Sequence, residues 1–210
     1  MGAMDFRRSY RSAAVTYVDL VSRVPADKWD GPGLGDWTVR ELVGHTVSSA
    51  LRQVPVVLTT PGGEIVVSSA EGYWALARQV PADIYAAAVA ASGDDAHATG
   101  LVLGDDPADA IRELAGRATQ AVATAADDDV VLTAAGGMRV RDWLPTRTFE
   151  LVVHGIDLAA ATGVPHNFSP EAVAEATARA ARVAIAVGEG EMLLRALTGR
   201  GELPPKFSIV

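Results

Sequence analysis

The segment RTFELVVHGIDLAAATG, residues 147–163, reads as most of one helix whose apolar residues Leu151, Val152, Val153, Ile156 and Leu158 cover much of its circumference. A helix clothed in that way is expected to be largely buried. Asp142 is placed to cap it, Pro145 falls in its first turn, and Gly163 followed by Pro165 ends it, giving a helix of about 142–162. Four residues advance a helix by about 400°, so Glu150 and His154 project about 40° apart on one face. The ordinary role of such a pair is an exposed hydrogen-bonded contact. In an apolar setting the carboxylate needs a partner, because an unpaired ionised Glu costs several kcal/mol or takes up a proton. A divalent ion shared with imidazoles would satisfy its charge and its lone pairs together.

A second histidine lies in DWTVRELVGHTV, residues 36–47. Thr38 and Glu41 form a T-x-x-E capping box that opens a helix of about 38–58, and His45 sits within it among Leu42, Val43 and Val47. It reads either as a ligand or as a core imidazole bonded to a backbone carbonyl. Two imidazoles and one carboxylate from two helices make a three-ligand site with one position left for water or substrate, the arrangement of catalytic rather than structural zinc.

Outward from these two segments the pattern stays helical. Phe6, Tyr10, Ala13, Ala14, Tyr17 and Val21 recur at intervals of three and four and predict a core-facing first helix over residues 5–23. Ser68, Ser69 and Glu71 open a third helix through Tyr73, Trp74 and Leu76 toward residue 91, broken or kinked at Pro81. SGDDAHATG, residues 92–100, reads as a polar loop, and Asp106 with Pro107 starts a helix of about 107–126. VVLTAAGGMRV predicts a small hairpin or extended loop around Gly136 and Gly137. Ser169 and Pro170 begin an alanine-rich helix of about 170–187, a short one ends near Leu197, and GRGELPPKFSIV is irregular. The expected organisation is an all-α bundle over residues 5–165 with a helical extension, residues 166–210, packed on it. The opening MGAM, with its second Met at position 4, reads as a remnant ahead of a natural start.

With 49% hydrophobic residues among 210, the chain can bury a sizeable core. Its 26 acidic and 18 basic residues give a net charge of -8, with no basic stripe to neutralise phosphates, so nucleic acid is not an expected partner. The absence of cysteine excludes disulfides, thiolate ligands and a catalytic thiol from the chain, so any sulfur chemistry must come from a ligand. No secretory pattern and no apolar run of about 18 residues is present, so a cytoplasmic location without membrane contact is expected. A homodimer is compatible with the sequence.

DWTVRELVGHTV, RTFELVVHGIDLAAATG and, more loosely, LLRALTGR at residues 193–200 resemble segments of the mycothiol-dependent maleylpyruvate isomerase family. The resemblance implies a DinB-like four-helix bundle and a metal site in which His45, Glu150 and His154 are the ligands. Zinc suits two nitrogens and one oxygen at tetrahedral geometry, while nickel, iron or manganese are alternatives. It also implies mycothiol as a cofactor, ionised beside the metal to a nucleophilic thiolate that adds to, isomerises or is transferred to a small electrophile. After residue 165 the sequence carries two short helices and a tail where the family's isomerases have a further α/β domain. The wider family of metal- and thiol-dependent transferases or isomerases is therefore expected rather than maleylpyruvate isomerase itself.

Other residues are candidates beside the triad. Asp157 can orient a ligand imidazole by hydrogen bonding, or else serve as a solvated acid or the partner of an arginine. Arg147 can meet a carboxylate substrate, a surface salt bridge being the commoner fate. Trp37 reads as a hydrophobic staple, and His97 and His166 as exposed loop residues. Two rival functions stand beside the enzyme: a non-catalytic bundle stapled by the ion, and a metal hydrolase using bound hydroxide with Asp157 as its only evident base.

Overall fold

The computed structural model describes residues 5–209, so the MGAM reading lies outside the described residues. α1 (Phe6–Ser22) is capped by Asp5, whose carboxylate accepts from the Arg7 and Arg8 amides. α2 (Val39–Val47) starts at the expected box: Thr38 accepts from the Glu41 amide and the Glu41 carboxylate accepts from the Thr38 amide. This helix continues through a π-helical turn, Ser48–Arg52, into α3 (Gln53–Leu58). Beyond it come α4 (Ala70–Ala77), α5 (Ala82–Val102), α6 (Pro107–Thr124), the antiparallel hairpin β1 (Val130–Thr133) and β2 (Gly136–Arg139), α7 (Val140–Thr162), α8 (Pro170–Ala186) and α9 (Gly190–Leu197). α1 packs on α6 and α7, α2 on α5 and α7, and α3 on α6. The result is a mostly helical, DinB-like bundle, as the sequence predicts. Its core is built from Tyr10, Tyr17, Leu20, Leu42, Leu51, Trp143, Leu144, Leu151 and Leu158, all almost fully buried. α4 and α8 pack on the outer side of α7, so α7 has neighbours on nearly every face. No helix among the described residues is long and apolar enough to cross a membrane.

Four local expectations are corrected. Residues 92–100 are helix, not loop: α5 runs unbroken from Ala82 to Val102, and the break expected at Pro81 parts it from α4 at residues 78–81. The polar stretch stays helical because Ala96, Thr99 and Gly100 are buried against α2, tertiary packing overriding the low propensity of Gly93 and the aspartates. A Cβ on Gly44 would lie 2.1 Å from the Ala96 carbonyl oxygen, so the α2–α5 crossing requires glycine there. α7 begins at Val140, two residues before Asp142. Its first amides are satisfied not by a carboxylate side chain but by the Asp129 and Asp127 carbonyls, at 2.9 and 3.1 Å from the Val140 and Arg141 nitrogens. Pro145 consequently lies in the second turn. The hairpin forms, but its turn is Ala134–Ala135, with Gly136 and Gly137 in the second strand. Gly137 is needed there because the Glu64 carbonyl would sit 2.0 Å from a Cβ. His166, expected to be exposed, is half-buried beside the Phe168 ring.

Candidate metal centre

His45 leaves the last turn of α2 and Glu150 and His154 leave the middle of α7, where the two helices pack. The three side chains are 19, 14 and 15% exposed. Glu150 Oε2 is 3.2 Å from His154 Nε2 and 3.7 Å from His45 Nε2, and the imidazoles meet edge to face with centroids 5.0 Å apart. One ligand atom from each of the three lies within 4.8 Å of the others. Ligands about 2.0 Å from a tetrahedral ion are separated by roughly 3.3 Å, so the donor spacing fits a divalent cation with little movement.

Hydrogen bonds aim the imidazoles. Asp157 Oδ2 is 3.0 Å from His154 Nδ1, and Ser92 Oγ is 3.3 Å from His45 Nδ1. With each Nδ1 engaged outward, both Nε2 atoms face Glu150, where a proton or a cation can sit between nitrogen and carboxylate. Burial raises the Glu150 carboxyl, but bonds from His154 and His45 and the Arg147 charge outweigh it, holding the group well below the usual carboxylate range. Burial lowers the His154 imidazole, yet Asp157 and Glu150 outweigh it and push it up to about 9. A field that holds a proton so firmly at this position favours any cation between these groups.

Of the roles open to Asp157 in the sequence, the structure has the hydrogen bond to the His154 imidazole. Arg147 does not form the surface salt bridge that its type would suggest: it is 3% exposed. Its Nη1 donates to the Ser49 carbonyl at 2.9 Å, its Nε to Thr146 Oγ1 at 2.9 Å, and its guanidinium lies 5.0 Å from the Tyr73 ring centroid. The Ser49 carbonyl belongs to the π-helical turn, and the Gln53 side-chain amide donates to it too, while Tyr10 donates to the Ala50 carbonyl at 2.6 Å. These donors satisfy carbonyls in the turn where the α-helical bond pattern is interrupted. Trp37 packs on the core as a staple would, and its ring also rests 4.9 Å from that of His45. His97 is on α5, exposed, with Nδ1 2.9 Å from Glu41, and takes no part in the triad.

His45, Glu150 and His154 border a cavity of about 590 Å³. Ser48, Ser49, Gln53, Ser92 and Asp95 contribute one part of its lining, and Tyr73, Trp74, Phe149, Val153 and Ile209 another. None of these was singled out from the sequence as a site residue. Ser92 and Asp95 were hidden because their segment reads as a loop, and the aromatic residues because helical spacing alone marks them as core.

Fold and centre together mark a helical bundle with an open His/His/Glu site. The family model of the mycothiol maleylpyruvate isomerase N-terminal domain matches residues 10–159, more than half of the chain, and the chain belongs to that family. No curated protein and no solved structure gives a match.

Proposed function

We propose that the chain is a metal- and mycothiol-dependent isomerase or thiol transferase acting on a small electrophile, with His45, Glu150 and His154 as the metal ligands. The observation that carries this reading is a three-donor centre opening into a cavity large enough for two small molecules. A divalent ion held there lowers the pKa of a coordinated thiol by several units, so that mycothiol supplies a thiolate at neutral pH. Zinc is the first choice for two nitrogens and an oxygen. Asp157 and Ser92 hold the two imidazoles in the ligating tautomer. Trp74 and Phe149, packed at 5.0 Å, keep water from one side of the cavity. Arg147 fixes the π-helical turn that presents Ser48 and Ser49 to it.

Two features favour this reading over a stapled bundle or a hydrolase. Among the described residues the group of potential ligands has three members, leaving room for a substrate ligand. Asp157, the base a hydrolase would use, is committed to His154. Elemental analysis of protein purified without chelator should find about one divalent ion per chain, falling to near zero in His45→Ala and in His154→Ala. Full occupancy in both variants would overturn the ligand set. Millimolar mycothiol should raise the Tm of metal-loaded protein, and an unchanged Tm would argue for the non-catalytic bundle.

A further inference from the structure

α5 has two halves that are held in different ways. Its buried residues, Ala96, Thr99 and Gly100, all lie in the second half, against α2. The side-chain bonds that tie the helix down also start late: Ser92 to His45, Asp95 to Ser48 and Arg52, and His97 to Glu41. Ahead of them every one of residues 81–91 is exposed, and Pro81 gives the first turn no side-chain cap. A helix of about ten residues has little stability of its own in water, so the free half stands on the anchored one.

The free half is nevertheless apolar. Residues 82–91 carry a single charge, Asp83, among alanines, Ile84, Tyr85 and Val89. Residues three and four apart share a helix face, so Tyr85, Ala88, Val89 and Ser92 continue the face that Ala96 and Thr99 bury against α2. Here that face meets the cavity instead: Tyr85, Ala88 and Ser92 border it, and Tyr85 and Val89 are 43 and 54% exposed. Another part of the lining is apolar as well. Trp74, Phe149 and Val183 form a small cluster separate from the main core, Tyr73, Val153 and Ile209 pack on it, and all but Val183 border the cavity. Two apolar surfaces on one open cavity are stabilised by leaving water together.

Gly93 lies at the boundary between the halves. A Cβ there would meet nothing within 4 Å, so no neighbour requires glycine, whereas at Gly100 the Arg40 backbone closes the space. Glycine is the poorest helix former after proline, and Gly/Ser pairs such as Ser92 and Gly93 are places where helices kink. At the other end of the arm, residues 78–81 are not helical.

We propose that residues 82–91 are a lid. Bending at Ser92 and Gly93, with the 78–81 link giving way at the far end, brings Tyr85, Ala88 and Val89 onto the wall of Trp74, Phe149 and Val153 and closes the cavity over its occupant. Shielding a thiolate from water by this closure rests on the function proposed above; the movement itself does not.

The chain has no cysteine, so an engineered pair reports the movement alone. A disulfide needs Cα atoms within about 7 Å. In metal-free protein under oxidised glutathione, Ala88→Cys with Val153→Cys should close an intramolecular disulfide at least tenfold faster than Ala87→Cys with Val153→Cys, which starts from the outward face. Should Val153→Cys not fold, Ile209→Cys replaces it in both pairs. Equal rates, no disulfide in the inner pair, or a link between two chains would overturn the lid, the last by assigning the arm to a second copy. Amide hydrogen exchange in the free protein should be at least a hundredfold faster over residues 84–91 than over 98–102, and Gly93→Ala should slow the first segment at least threefold. Equal exchange in the two segments, or no effect of Gly93→Ala, would overturn the hinge. Zinc with millimolar mycothiol should slow exchange over 84–91 at least tenfold. Unchanged exchange beside a raised Tm would overturn the lid, while an unraised Tm counts against the function above and leaves the disulfide rates to decide.

Discussion

The His45, Glu150 and His154 triad and the apolar surface beside it share α7 but are held by different forces. The triad depends on backbone: α2 and α5 cross where only a glycine fits, α2 packs on α7, and every imidazole carries an orienting hydrogen bond. The apolar surface depends on side chains from a short helix, α4, one stretch of α7 and an irregular tail, with ring contacts of 5.0 and 5.6 Å as its main internal restraints. Donor geometry tolerates errors of only tenths of an ångström, whereas an apolar surface tolerates repacking. Damage to the first should therefore be abrupt, and damage to the second graded.

The largest effect expected from breaking this contrast is that of Gly44→Ala. The obstacle is a backbone carbonyl rather than the end of a side chain, so α2 and α5 must part, at a cost of about 3 kcal/mol. Chemical denaturation checks the stability and elemental analysis the metal, which should fall together because His45 is the next residue. A variant with wild-type stability would show that the crossing is soft. Next is Asp157→Asn, which should weaken zinc binding about 10- to 100-fold in competition with a chromophoric chelator. Equal zinc affinity would remove Asp157 from the support of the site.

The smallest effect concerns the start of α2. The Glu41 carboxyl lies below its usual 4.5, chiefly through the bond from the Thr38 amide and then through His97. A lowered carboxyl contributes stability that is fully present above the unfolded value and is lost as pH falls through the folded one. Thermal melts from pH 6 to 3 should therefore show wild type and Glu41→Gln converging at acid pH, their separation at pH 6 being less than about 1 kcal/mol. A gap that widens on acidification would contradict the sign.

Much of the triad was legible because its signals are local. The T-x-x-E box and the i,i+4 pair on an apolar helix each need only a few adjacent residues. α5 was misread where its stability comes from α2, a partner that lies some fifty residues earlier and leaves no mark in SGDDAHATG itself. The start of α7 was shifted because its caps are backbone carbonyls, which every residue has and no side chain announces. The burial of Arg147 was illegible for a similar reason: its acceptor is a carbonyl in a π-helical turn, and no residue type predicts that turn.

That turn also makes the helix from Val39 to Leu58 a device with two azimuths. Upstream of it, His45 faces the cavity while Leu42 and Val43 face the core; downstream, Val54 and Val57 are the core residues. A single α-helical residue step is 100°. The π-helical turn takes up one residue more than an α-helical turn would, so removing one residue between 48 and 52 would restore ordinary i→i+4 bonding with Val54 and Val57 still on the core, and would take away the carbonyls that Arg147 and Tyr10 hold. What this helix offers to the cavity is thus fixed by a count of residues as much as by their chemistry.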